Sequence, residues 1–141
     1  MATVNLNELI QSYIRRRNTI NLDLTTFSNQ KTLASAQVSD LASWKSMQKV
    51  ALNNEYKNIF ATEYKDKYTD YTEIPEYQDE VAYLESYYEA HMEDLTSWEV
   101  QLDNQITTMN TELSEINAYV DSFKQMLSNN IKNDYNYGLG Q

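Results

Sequence analysis

Residues 81–127 read VAYLESYYEAHMEDLTSWEVQLDNQITTMNTELSEINAYVDSFKQML, and the spacing of their apolar side chains decides the fold. Val81, Leu84, Tyr88, His91, Leu95, Trp98, Leu102, Ile106, Met109, Leu113, Ile116, Val120, Phe123 and Leu127 follow one another at steps of three and four, and thirteen of these fourteen are apolar. That rhythm belongs to a helix laid along another helix. Consecutive steps of four at Trp98, Leu102 and Ile106 form a stutter that locally relaxes supercoiling.

Upstream of this stripe, residues 67–76 read KYTDYTEIPE and hold Pro75, the single proline of the chain, among polar turn formers. Proline is tolerated in the first turn of a helix, where its missing N–H would have had no partner. The segment therefore predicts a reversal at about 67–75, with the second helix over about 76–132. Residues 134–141 read as a polar C-terminal tail.

The first helix has its own start signal. Asn5 suits an N-cap, Glu8 stands three residues on as in a capping box, and Val4 and Leu9 occupy hydrophobic-staple positions. From there Leu6, Ile10, Tyr13, Arg17, Ile20, Leu24, Phe27, Lys31, Ala34, Val38 and Leu41 alternate steps of four and three, and nine of the eleven are apolar. A looser stripe continues through Trp44, Met47, Ala51, Tyr56, Ile59 or Phe60, and Tyr64, predicting a helix over about 6–66. Seven Ser/Thr residues between Thr25 and Ser43 compete locally for backbone hydrogen bonds. They leave a three-helix arrangement with a break near residues 28–30 as the alternative.

These elements predict an all-α protein, a long antiparallel two-helix coiled-coil hairpin forming a single domain over 1–133. Each helix would approach 60 residues, or about 90 Å at 1.5 Å per residue. A turn centred near Tyr71 places Trp44 opposite Trp98 and Lys49 near Glu93. Apolar side chains at Leu9, Ile14, Val50, Ile74, Val100 and Tyr119 fall beside the seam, where one partner helix cannot cover them all.

Composition agrees with long helices. The 141 residues include two glycines, Gly138 and Gly140, so the usual backbone punctuation is absent from nearly the whole chain. Cysteine is absent, which removes disulfides, thiolate metal sites and thiol nucleophiles together. Residues 1–50 hold six Lys/Arg against three Asp/Glu, a net +3, whereas residues 51–100 hold three against thirteen, a net −10. The last 41 residues hold two against five, a net −3. An acidic chain without a basic stripe repels phosphate backbones, so no nucleic-acid partner is expected. No apolar run reaches the roughly 18 residues that span a bilayer, and residues 1–18 lack the apolar core of a signal peptide. A cytoplasmic location, or export without a cleaved leader, follows as the expectation.

Catalytic chemistry finds little support. His91 is the one histidine and lies on the apolar stripe, where a partly buried seam residue is the ordinary reading. The carboxylates between Glu63 and Glu85 lack the central glycine of a calcium loop, and a di-iron site needs two Glu-x-x-His pairs. No phosphate-binding glycine loop exists. The expectation is neither an enzyme nor a holder of a metal or other cofactor.

The hairpin end is rich in tyrosine, which offers large amphipathic contact area at low entropic cost. Tyr64, Tyr68, Tyr71 and Tyr77 with Asp70 and Glu73 are therefore the candidate interaction tip, although the same rings could simply complete a thin core. Arg15, Arg16 and Arg17 form the candidate basic end. In a hairpin the acidic tip and this base lie at opposite ends, a layout suited to head-to-tail contact between subunits. The expected partners are proteins, either copies of this chain or another helical protein.

In length and helix pattern the chain resembles the helical hairpins of bacterial flagellar and type III export. It departs from the small secreted hairpins marked by Trp-x-Gly, since Trp44 precedes Lys45 and Ser46, and Trp98 precedes Glu99 and Val100. The expected function is a structural or assembly subunit that self-associates or docks into a larger complex, for example a filament or secretion apparatus. A cytosolic coiled-coil adaptor or export chaperone is the alternative.

Overall fold

A computed structural model describes the backbone of residues 2–139 and the side chains through Tyr135. Two long helices pack against each other as an all-α hairpin, α1 over Thr3–Ile59 and α2 over Pro75–Leu139, with no strand among the described residues. A π turn at Phe60–Tyr64 extends α1, and a 3-10 turn at Tyr71–Glu73 precedes α2. The break considered near residues 28–30 does not occur. The local Ser/Thr competition resolves inside the helix, because Thr25 and Thr26 donate their hydroxyls to the carbonyls of Asn21 and Leu22, one turn back.

The helix ends differ from the sequence reading. α1 starts at Thr3, with the Leu6 N–H donating to the Ala2 carbonyl, so Asn5 lies inside the first turn. At the other end α2 continues through Leu139, across most of the expected tail at 134–141, of which Gly140 and Gln141 lie outside the described residues. Residues 131–135 are exposed, and no proline interrupts the stretch.

Chain reversal follows from Pro75. Ile74 takes an extended conformation, φ −67° and ψ 122°, the region to which a following proline confines a residue. Pro75 then opens α2, and the Gln78 N–H donates the first helical bond to the Ile74 carbonyl. Glu76 in this first turn complements the positive end of the helix dipole. Polar groups of the turn satisfy one another: the Thr69 N–H donates to the Glu73 carboxylate, and the Thr72 hydroxyl donates to Asp70.

Contacts divide the chain into two compact units, one of Met1–Gln30 with Leu102–Gln141 and one of Lys31–Gln101. In the first, Ile20, Ile116 and Val120 are buried together under Tyr13, Ile14, Leu24, Met109 and Leu113. Tyr13 also stacks on Phe123 and meets Tyr119 at 5.5 Å between ring centres. In the second, Tyr56, Ile74 and Tyr77 are buried under Leu52, Ile59, Phe60, Tyr64, Tyr68, Tyr71 and Val81. No polar or charged residue is buried among the described residues.

The stripe between Leu6 and Leu41 is buried or half-buried at every position, and so is the α2 stripe except at His91. Here the rhythm takes a step of four from Tyr88 to Met92, which turns His91 to the surface and Met92 inward. In the looser part of α1, Met47 and Ala51 are exposed, and Lys45, Leu52 and Asn53 take the inward positions. Of the residues expected beside the seam, Ile74 is buried and Leu9 and Ile14 are half-buried, while Val50, Val100 and Tyr119 are exposed.

The register differs from the symmetric expectation. Trp44 packs on Tyr87 and not on Trp98, and Lys45 pairs with Glu85, so the facing partner lies about eleven residues earlier along α2. The connector is the cause. It does not bridge the helices symmetrically about Tyr71 but runs back along α1, bringing Ile74 and Tyr77 level with Tyr56.

Ile20→Ala is expected to destabilise the fold by about 2–5 kcal/mol, the usual cost of truncating a fully buried aliphatic side chain. Leu22→Ala, on the solvent face of the same turn, should stay within about 0.5 kcal/mol of the parent. Denaturant unfolding followed by circular dichroism measures both.

Candidate functional site

The two helices carry opposite charge. α1 holds seven Lys/Arg against four Asp/Glu, a net +3, and α2 holds two against thirteen, a net −11. Between Pro75 and Phe123 there is no Lys or Arg at all. Cations of α1 accordingly reach across the seam. Arg16 Nη2 lies 2.8 Å from Glu112 Oε1, and Lys45 Nζ lies 2.7 Å from Glu85 Oε2 and 4.3 Å above the Tyr88 ring. Hydrogen bonding to Glu85 raises the Lys45 ammonium above its ordinary value, and the same bond lowers the Glu85 carboxyl.

The predicted tip residues are brought together, but largely against one another. Tyr77 is buried and Tyr64, Tyr68 and Tyr71 are half-buried; Tyr71 and Tyr77 meet edge to face at 5.2 Å, and Tyr64 lies 5.5 Å from Tyr68. The Tyr77 hydroxyl donates to Asn53 Oδ1 at 2.6 Å. Asp70 and Glu73 accept hydrogen bonds within the turn, from the Thr72 hydroxyl and the Thr69 N–H. Of the basic cluster, Arg16 is held by Glu112, Arg17 is half-buried with Nη1 3.5 Å from Asn117 Oδ1, and Arg15 is exposed.

A different surface carries unpaired apolar area. In the second unit an open groove of about 540 Å³ runs between α1 and α2. Leu52 and Leu84 belong to the seam and form its floor, Trp44 and Tyr83 stand at its side, and Glu55, Asp79 and Glu80 supply acidic walls. Tyr83 is 74% exposed and Trp44 37%, with Met47 nearby in sequence at 70%. Trp44 meets Tyr87 at 5.1 Å and Tyr87 meets His91 at 4.2 Å between ring centres, both tilted, so His91 ends a row of ring contacts. The sequence reading put Trp44 and Met47 on the inward stripe and Val50 beside it; all three are exposed, and Lys45 and Leu52 take the inward positions.

Among the described residues no three or more His, Cys, Asp or Glu side chains are grouped to hold a metal ion, and no helix is long and apolar enough to cross a membrane.

Burial raises the phenols of Tyr56 and Tyr77 above their ordinary value of 10.0, with neighbouring Glu80 adding to the effect at Tyr56 and Tyr71 and Asp70 adding at Tyr77. A raised phenol stabilises the fold in full below its ordinary value and loses that contribution as pH climbs through the higher folded value. Denaturation midpoints should therefore fall on the alkaline side of 10.0. Tyr77→Phe should cost about 1 kcal/mol at neutral pH through its lost hydrogen bond and should flatten part of that alkaline fall. Midpoints that do not change across this range would contradict it.

Comparison with protein-family models, with curated proteins and with solved structures gave no match for this chain.

Proposed function

We propose that the chain is a structural or assembly subunit, a coiled-coil hairpin that associates with copies of itself through its helix surfaces and is not an enzyme. The observation that carries this reading is the groove of the second unit, where Trp44 and Tyr83 leave aromatic area in water beside acidic walls. Exposed aromatic area rimmed by charge is the composition of a protein-binding surface. The exposed Val50, Val100 and Tyr119 add apolar area that the α1–α2 pairing does not cover. An adaptor that offers the same groove to a different protein is the second reading, favoured by the acidic walls, which suit a basic partner.

Sedimentation or light scattering should find a mass above that of the 16.5 kDa chain at micromolar concentration, falling on dilution. The Trp44→Ala/Tyr83→Ala variant should shift that mass toward the single chain while its helical content is retained. A strictly monomeric parent protein over the whole range would overturn self-association and leave the adaptor reading.

A further inference from the structure

The net charge of α2 decides which surfaces of two copies can meet. With −11 along Pro75–Leu139, two α2 helices brought face to face repel each other. The second unit, Lys31–Gln101, holds six Lys/Arg against fourteen Asp/Glu, a net −8, and the groove lies within it. Whatever fills that groove must bring apolar side chains and positive charge together.

One stretch of the same chain has that chemistry. The only Lys or Arg residues of α2 are Lys124 and Lys132, both exposed; Lys132 and Asp134 lie between Ile131 and Tyr135, which are 54% and 66% exposed. Spacings of seven and eleven residues set Lys124, Ile131 and Tyr135 on one helix face, with Lys132 beside them. The result is a basic, apolar stripe on a helix that is otherwise almost uniformly acidic.

We infer that the occupant of the groove is a second copy of this chain, which inserts Ile131 and Tyr135 between Trp44, Tyr83 and the Leu52–Leu84 floor and sets Lys124 and Lys132 against Glu55 and Asp79. The inference rests on the self-association reading above and names its interface. Because groove and stripe are different surfaces, two copies close as a pair only where both contacts form at once about a two-fold axis; otherwise the contact runs head to tail, into a ring or a filament. Each copy offers one donor stripe and one acceptor groove. Helix-in-groove docking with apolar anchors and charged flanks supplies both the affinity and the direction of the contact.

Charge exchange tests it. Glu55→Lys/Asp79→Lys reverses the groove wall, and Lys124→Glu/Lys132→Glu reverses the stripe; all four side chains are exposed, so folding is checked simply by circular dichroism. Each variant alone should associate about tenfold more weakly than the parent, or not at all, by sedimentation equilibrium. Mixing the two should restore association, since a Lys-bearing stripe then meets an acidic wall and a Glu-bearing stripe meets a basic one. A parent that associates while both variants associate equally well would overturn this interface and leave the self-association reading standing. Variants that weaken alone but are not rescued by mixing would also overturn it. A monomeric parent would overturn both.

Discussion

Everything in this molecule depends on apolar contact between two helices that have few other neighbours to pack against. Helices gain most of their stability from tertiary packing of one face and little from propensity. α1 and α2 meet that need with one stripe each, and every buried residue among those described is apolar. The burial is thin. It concentrates in two clusters, one of aliphatic residues around Ile20, Ile116 and Val120, the other of rings around Tyr56, Ile74 and Tyr77.

Charge selects among the ways such stripes can pair. A seam of repeating apolar residues tolerates slippage, but a helix of net +3 beside one of net −11 favours the mixed pair over either like pair. Lys45 sits at an inward position and meets both Glu85 and Tyr88, so it acts on register as well as on partner choice. Its contribution holds from the point where Glu85 is fully ionised up to the point where Lys45 loses its proton. It fades in acid as pH drops through the lowered Glu85 value, and in alkali as pH rises through the raised Lys45 value.

The helices, the reversal and the seam were legible because each has a local cause: a 3–4 rhythm, a proline with its polar neighbours, and few backbone breakers. Register was not, because it depends on how the connector travels. Tyr68, Tyr71, Ile74 and Tyr77 recur every three residues and lie against the end of α1, so the reversal is asymmetric, and each partner shifts by about three helical turns. The same shift removed Trp44 from its expected place opposite Trp98 and put it at the lip of a groove. The tyrosines of the expected tip were found by composition, but composition could not say that they cover one another. His91 was misplaced by a single local step of four at Met92.

The pairing itself can be measured directly because the chain contains no cysteine of its own. Nitroxide labels at Lys45→Cys and Glu85→Cys, compared with labels at Lys49→Cys and Glu93→Cys, report the register as two distances by pulsed electron resonance, in samples diluted with unlabelled protein. The 45/85 pair is expected to be the nearer of the two by about 10 Å, because 49 and 93 stand about 18 Å apart along the helix axes at 1.5 Å rise per residue. A 49/93 pair that is as close as 45/85, or closer, would contradict the seam on which the whole structure stands.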